Sequence, residues 1–218
     1  MNTLTRRTLV AAGALAAALA AAPAFAQAPS GKLVLYTSQP EKDASMTTEA
    51  FKKAYPGVEV EIFRSGTTEV MGKLAAEFTA GDPRPDVLFI ADAASMEILK
   101  KDGRLLPYPE AKVDGFDKET YDADKTYFGS KLITTGIAYN TGAAEKPTSW
   151  KDLTKPSYKG QISMPSPLYS GAAAIMLSTM VEHPDLGWSF YEGLKANEAV
   201  AVRGNGAVLK SVASGEKA

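Results

Sequence analysis

The chain has 218 residues, of which 45% are hydrophobic, with no cysteine, one histidine and a net charge of −1 at pH 7. This apolar content is typical of a globular protein, and the length fits one large domain or two small ones. The missing cysteines exclude disulfide bonds, thiol nucleophiles and thiolate metal sites. The balanced charge, without a basic stripe, argues against a nucleic-acid partner.

The first 26 residues have the pattern of a cleavable export signal. Arg6 and Arg7 precede an uncharged apolar run of 14 residues, 9–22, and Ala24-Phe25-Ala26 places small residues where a signal peptidase cleaves. The arginine pair resembles a twin-arginine signal but is also common in ordinary Sec signals, so both routes stay open. The run is shorter than the roughly 20 residues that span a bilayer, which argues against a membrane anchor. The mature protein, with 22 basic and 25 acidic residues, is expected in a bacterial periplasm.

Strand and helix patterns alternate after this signal. Strand patterns cover residues 32–37, 58–63 and 86–90, and each is followed by a helix pattern, at 41–55, from Thr67 or Thr68 to Gly81, and after Asp92 through Lys101. This order predicts an α/β lobe over residues 27–130 with a parallel sheet. Open sheets of this kind bind ligands at the carboxyl ends of their strands.

The same alternation resumes after about residue 130 and predicts a second α/β lobe over residues 131–218. The patterns there are a strand at 131–140, a short capped helix at 147–153, a strand at 161–165, helices at 172–181 and 186–197, a strand at 199–202 and a helix from Gly204. The chain ends at Ala218, directly after the helix that Gly215 caps. We therefore expect the second lobe, and a segment returning to the first, to be incomplete.

Small polar residues stand at four of the predicted helix starts. They are Ser38, Ser65-Gly66-Thr67, Ser170-Gly171 and Gly204-Asn205-Gly206. A helix start has unpaired backbone N–H groups and a partial positive charge, so it can hold an anion without an arginine. Taken alone, the motif with Ser38 is better explained as a turn, and Ser65-Gly66-Thr67 as a helix cap. Together they predict a cage of neutral donors around one anionic ligand, with Gly66 allowing close approach.

Other polar residues contribute less to a prediction of function. Asp92 either caps the helix that follows it or faces a cationic part of a ligand, and Arg64 is expected to face solvent. His183 has no second histidine or cysteine nearby, so neither a zinc site nor a serine triad is predicted. A nucleophile elbow and a Walker loop are also missing from the sequence. We expect no catalytic residue, no metal site and no cofactor.

Several segments resemble periplasmic solute-binding proteins of ABC importers. They are Leu33–Gln39, Asp86–Phe89 with Asp92 beyond it, Ile133–Asn140, and Trp150–Leu153 before Lys159–Ile162. The chain is similar to the type II members of extracellular solute-binding family 1 that bind ferric iron, 2-aminoethylphosphonate or thiamine. The resemblance implies two α/β lobes joined by hinge strands, the first near Leu132–Tyr139. It also implies a monomeric, non-enzymatic receptor that delivers its ligand to a membrane permease.

The resemblance leaves the ligand open. Iron-binding members carry a histidine shortly after the first strand, where this chain has Pro40, and a glutamate after the third, where it has Ala91 and Asp92. The helix starts fit an organophosphonate or phosphate ester better than iron. The resemblance places Ser38, Ser65, Gly66, Thr67, Ser170, Gly171 and Asn205 around the anion, with Asp92 facing an amine. The alternatives are a receptor for ferric iron, thiamine or a polyamine, and an exported hydrolase.

Overall fold

The computed structural model describes residues 28–218, so the predicted export signal lies outside the described residues. The strands are Ser30–Thr37 (β1), Gly57–Arg64 (β2), Val87–Phe89 (β3), Ser163–Pro165 (β4) and Val200–Val202 (β5). The α-helices are Glu41–Ala54 (α1), Thr67–Ala80 (α2), Ala93–Lys101 (α3), Gly171–Glu182 (α4), Gly187–Ala196 (α5) and Asn205–Ala213 (α6). Short 3₁₀ helices lie at Lys118–Thr120, Trp150–Thr154 and Pro156–Tyr158.

The first sheet is parallel, with the strand order β2-β1-β3. The apolar run in β1 occupies the centre of this sheet, where Leu35 and Tyr36 are buried. Val70 and Leu74, one helical turn apart on α2, are almost completely buried. Because residues four apart share one face of a helix, this face of α2 is buried. The parallel pairing of β1 with β2 and β3 confirms the α/β arrangement predicted for this region.

A second parallel sheet is formed by β4 and β5, with Met164 beside Ala201. Its core combines side chains from two 3₁₀ helices, from the residue before β4, and from α4 and α5: Leu153, Tyr158, Ile162, Met180, Phe190 and Leu194. Asn197, at the end of α5, is buried and donates to the carbonyl oxygens of Leu153 and Lys155. These bonds tie α5 to the segment that precedes β4.

The strand predicted over residues 131–140 is not present in the structure, where this segment is irregular. Leu132 is 91% exposed, and Asn140 donates its backbone N–H to the carbonyl oxygen of Ala218 at 2.6 Å. β-branched and aromatic residues favour a strand only when a neighbouring strand accepts their hydrogen bonds. Within residues 28–218 this segment has no such neighbour, which explains why the local pattern misled the prediction.

We find no helix among residues 28–218 with the length and apolar character needed to cross a membrane.

Candidate functional site

The loops after the strands of the first sheet lie together at one edge of that sheet. The backbone N–H of Ser65, after β2, donates to the Thr37 carbonyl oxygen at 3.1 Å. The N–H of Ser38, after β1, donates to the Phe89 carbonyl oxygen, also at 3.1 Å. Because the strands are parallel, their carboxyl ends meet here, as the sequence predicted.

Ser38 links three of these loops through its hydroxyl group. Its oxygen accepts a hydrogen bond from the Thr67 hydroxyl at 2.9 Å and another from the Ala91 backbone N–H at 3.1 Å. Both lone pairs are then occupied, and the hydroxyl hydrogen of Ser38 remains available to donate. Ser38 can therefore serve only as a donor to a further group, which suits an anion.

The start of α2 leaves its backbone donors open. Gly66 occupies the N-cap in an extended conformation, whereas the sequence predicted Thr67 or Thr68 at that position. No side chain caps this helix, and the hydrogen bonds found within residues 28–218 include none from the N–H groups of Gly66 and Thr67. Thr67 is free of the capping role because it bonds Ser38 instead.

Gly66 and Gly171 bring the two halves of the chain into direct contact. A β-carbon on Gly66 would lie 2.6 Å from Cδ2 of Tyr169, in the loop before α4. A β-carbon on Gly171 would lie 2.7 Å from the Thr67 Oγ1 and 2.8 Å from the Asp92 Oδ2. The starts of α2, α3 and α4 thus meet, and glycine is required at both contacts.

The start of α6 joins the same group. Ser170 caps α4 by accepting the Ala173 backbone N–H at 3.3 Å, and the side-chain amide of Asn205 donates to the same oxygen at 3.4 Å. Gly204 is the N-cap of α6, with no side chain capping the helix. All the predicted site residues therefore lie in one neighbourhood, at the starts of four helices or in the loop after β1.

Asp92 has the structural role that the sequence left open. Its Oδ1 accepts the Ser95 backbone N–H at 2.7 Å and so caps α3. Its Oδ2 faces Gly171. One carboxylate oxygen is thus used by the helix, and the other lies at the contact between the two halves. Arg64 is also occupied, since its Nε donates to the Gln39 carbonyl oxygen at 3.0 Å.

Three residues at the site were missed by the sequence analysis: Glu69, Tyr169 and Arg203. The Arg203 guanidinium donates to both Glu69 carboxylate oxygens, at 2.6 and 2.7 Å, and lies over the Tyr169 ring at 4.8 Å from its centroid. Ser65 also donates its hydroxyl to Glu69. Tyr169 and Arg203 each precede a predicted helix start in the sequence, and that adjacency was the available signal.

The surroundings of Glu69 favour its charged form. The hydrogen bond from Ser65 lowers the pKa of the Glu69 carboxyl below its ordinary value, and the positive charge of Arg203 lowers this pKa further, against the opposing effect of desolvation. A negative charge is therefore held at the start of α2 by a hydroxyl from one half of the chain and a guanidinium from the other.

Comparisons with a family model and with curated relatives indicate the same class of protein. The family model described as bacterial extracellular solute-binding protein matches residues 36–218. A probable ABC transporter periplasmic-binding protein of Sinorhizobium fredii is 27% identical over 198 residues, which are 84% of this chain and 54% of that protein. The chain spans about half the length of the curated relatives that it matches.

Two solved structures show a similar fold. AfuA of Actinobacillus pleuropneumoniae, a periplasmic binding protein with bound fructose-6-phosphate, has a TM-score of 0.72 at 23% identity, covering 87% of this chain and 62% of AfuA. Iron-bound HitA of Pseudomonas aeruginosa has a TM-score of 0.67 at 22% identity, covering 87% of this chain and 61% of HitA. The predicted α/β fold of two-lobe periplasmic binding proteins is therefore confirmed.

Proposed function

Because this chain belongs to the bacterial extracellular solute-binding protein family, we propose that it is the solute-binding component of an ABC transporter. In this role it captures a small molecule outside the cytoplasm and delivers it to a membrane permease, without chemical change. The relative in Sinorhizobium fredii supports this assignment through its description. The predicted export signal agrees with a periplasmic location.

The ligand of the proposed receptor is a small anion. The observation that carries this proposal is the convergence of helix starts from both halves of the chain, with Ser38 and the open N–H groups of Gly66 and Thr67 on one side. The starts of α4 and α6 contribute Ser170, Gly171 and Asn205 from the other side. A hydrogen bond to a charged partner contributes about 1.5–3 kcal/mol, so several of them outweigh the costs of ordering and desolvation.

Binding requires the two halves to separate and close again. Gly66 lies against Tyr169, and Gly171 lies against Thr67, with no room for another group between them. The ligand would therefore enter an opened cleft and replace some of these direct contacts when the cleft closes. This motion is the hinge closure expected of a two-lobe receptor.

Within the anionic class we favour an organophosphonate or a phosphate ester. The tetrahedral oxygens of either group match several N–H and O–H donors that converge from different helices. The sugar phosphate bound in AfuA supports a phosphate ester. An aminophosphonate would place its amine toward Asp92, whose Oδ2 lies at the contact between the halves.

Ferric iron is the second candidate, and iron-bound HitA is the observation that favours it. Among the described residues, no three histidine, cysteine, aspartate or glutamate side chains come together as a metal site. An iron site would therefore need other ligands, such as tyrosine side chains together with a bound anion. The exported hydrolase is not supported, because the family that this chain matches consists of solute-binding proteins and not of enzymes. His183, the one histidine of the chain, lies in the turn after α4, where its Nδ1 accepts the Asp185 N–H at 3.1 Å.

Calorimetry of the purified protein tests these assignments. We expect saturable binding of 2-aminoethylphosphonate or fructose-6-phosphate and no binding of neutral fructose. A visible absorption band on addition of ferric citrate would favour the iron receptor, because tyrosinate-bound iron is coloured. Release of inorganic phosphate from fructose-6-phosphate would show an enzyme and contradict the receptor proposal.

A further inference from the structure

Glu69 and Arg203 form the direct charged contact between the start of α2 and the loop before α6. The two guanidinium hydrogen bonds, at 2.6 and 2.7 Å, join residues 134 positions apart in the sequence. Both side chains are substantially exposed, Arg203 to 69% and Glu69 to 45%. Exposed ion pairs contribute little to stability because water can solvate each charge, so another anion can replace the carboxylate at a small cost in free energy.

The Glu69 carboxylate has the surroundings expected for a ligand anion at this place. It accepts the hydroxyl of Ser65, which the sequence predicted as a ligand contact. It also accepts the guanidinium of Arg203 from the other side of the contact between the halves. An ordinary capping box would instead direct a glutamate at this helix position back to the N-cap backbone N–H. Here the carboxylate bonds a hydroxyl and an arginine, and the N-cap amide of Gly66 is left open.

Arg203 is held in position independently of Glu69. Its guanidinium lies 4.8 Å from the centroid of the Tyr169 ring, and Tyr169 is itself pressed against Gly66. Stacking on an aromatic ring restricts the orientation of the guanidinium and leaves its N–H edge free to donate. If the Glu69 side chain moves away, the guanidinium N–H groups of Arg203 therefore still face the start of α2.

From these contacts we propose that Arg203 determines specificity for an anionic ligand and that Glu69 competes with the ligand for it. This proposal rests on the proposed solute-binding function. Before the ligand binds, the Glu69 carboxylate accepts the hydrogen bonds of the Ser65 hydroxyl and the Arg203 guanidinium. A phosphonate or phosphate group displaces it and takes over both donors. A neutral solute cannot replace the negative charge of Glu69 beside Arg203, so the protein discriminates against neutral solutes.

Calorimetric titration with 2-aminoethylphosphonate and with fructose-6-phosphate tests the exchange, using E69Q, R203Q and the double variant. E69Q removes the competing charge, so binding should become about fivefold tighter, which is the scale of an exposed ion pair. R203Q removes a charged donor and should weaken binding about tenfold or more. In the double variant the gain from E69Q should disappear. E61Q is the matched control, since Glu61 pairs with Lys32 on the first sheet, and its affinity should equal that of the wild type.

The outcomes separate this inference from the proposed function. If the wild type binds either anion and E69Q binds equally or more weakly, the competition is wrong and the receptor assignment stands. If only E69Q binds, Glu69 is a strong competitor and the inference is supported. If neither protein binds either anion, both the anionic ligand class and the exchange are wrong.

Discussion

Gly171 packs so closely on Thr67 that a β-carbon at position 171 would lie 2.7 Å from the Thr67 hydroxyl oxygen. The contact joins the start of α4 to the start of α2. The same hypothetical carbon would lie 2.8 Å from the Asp92 Oδ2 at the start of α3. One residue without a side chain thus allows three helix starts to meet, and the proposed closure of the cleft depends on it.

Gly171→Ala should obstruct this closure. The added methyl group would displace Thr67 or Asp92, so we expect anion affinity to fall about tenfold or more, as for loss of one or more charged hydrogen bonds. The free energy of unfolding should change little, because the collision lies between the halves and not within either core. Calorimetry and urea unfolding would measure the two effects.

Gly72→Ala is the matched control for that substitution. Gly72 is exposed on α2, and a β-carbon there meets nothing within 4 Å. We expect unchanged affinity and a stabilisation of about 0.5–1 kcal/mol, since alanine favours a helix interior over glycine. Equal affinity of the Gly171→Ala variant and the wild type would show that the cleft does not close through this contact.

Ser65→Ala and Thr67→Ala should weaken anion binding while the fold is retained. Thr67 is buried and holds the Ser38 hydroxyl, and Ser65 donates to Glu69. Neither residue caps α2, because Gly66 occupies the N-cap. The expected loss of stability is about 1 kcal/mol for each hydrogen bond removed, and the expected loss of affinity for 2-aminoethylphosphonate is about tenfold.

Thr79→Ala, near the other end of α2, is the control for these threonine and serine variants. Thr79 is exposed, and its hydroxyl donates only to the Ala75 carbonyl oxygen within the same helix. Its removal should leave affinity unchanged in calorimetry. Unchanged affinity in both Ser65→Ala and Thr67→Ala would refute their placement around the ligand.

Arg203→Gln should loosen the contact between the two halves in the absence of ligand. The chain has no cysteine, so spin labels can be attached at Lys53→Cys on α1 and Lys195→Cys on α5, both exposed. We expect a broader distance distribution between the labels than in the protein with Arg203, measured by double electron–electron resonance.

The control for this loosening is Lys159→Gln. It breaks an exposed ion pair with Glu198 that lies wholly in the second half of the chain. The label distances should then match those of the protein with Lys159. If Arg203→Gln also leaves the distribution unchanged, the Glu69–Arg203 pair contributes nothing to holding the halves together.

Asp122 makes stability depend on pH in the acid range. The Lys100 ammonium and then the Thr126 hydroxyl lower the pKa of the Asp122 carboxyl from 3.8 to about 2. Because this pKa is lower in the folded protein than in the unfolded chain, the charged carboxylate stabilises the fold at pH values above about 4. This stabilisation is lost as the pH falls from about 4 toward 2. Asp122→Asn should therefore be less stable at neutral pH and lose less stability on acidification, as measured by urea unfolding at each pH.

Asp124→Asn distinguishes this interaction from a general effect of charge near Lys100. Asp124 also pairs with Lys100, at 2.8 Å, but its side chain is 72% exposed and screened by solvent. We expect the free energy of unfolding of Asp124→Asn to decrease on acidification as it does in the wild type. If Asp122→Asn also loses as much stability on acidification as the wild type, the proposed role of Asp122 is wrong.

Most helices and strands could be predicted because their signals are local. The spacing of Val70 and Leu74 marks the buried face of α2, and the helix ends where Gly81 adopts a left-handed conformation with φ of 74°. Ser149 and Asp152 form the capping box of the helix predicted at 147–153, which the structure shows as the 3₁₀ helix Trp150–Thr154. Where a partner was required, as for residues 131–140, the local pattern failed.

The neighbourhood of the site was also predictable, but its charges were not. Parallel strands bring their carboxyl ends to one edge, so Ser38 and Ser65 could be placed together from the order of the elements alone. Glu69 resembles any acidic residue in the first turn of a helix, where the helix dipole favours it. Its partner Arg203 has no period or motif that connects the two positions.

The sequence by itself determined most of the strands and helices and the residues at each helix start, because these depend on side-chain periodicity and on the backbone preferences of neighbouring residues. The family was indicated separately, by the resemblance of segments such as Leu33–Gln39 to solute-binding proteins. The tertiary structure decided which helix starts touch and which charges pair across the gap. Those contacts join residues such as Glu69 and Arg203, which are 134 positions apart. Only the packing of the two halves brings such residues within hydrogen-bond distance.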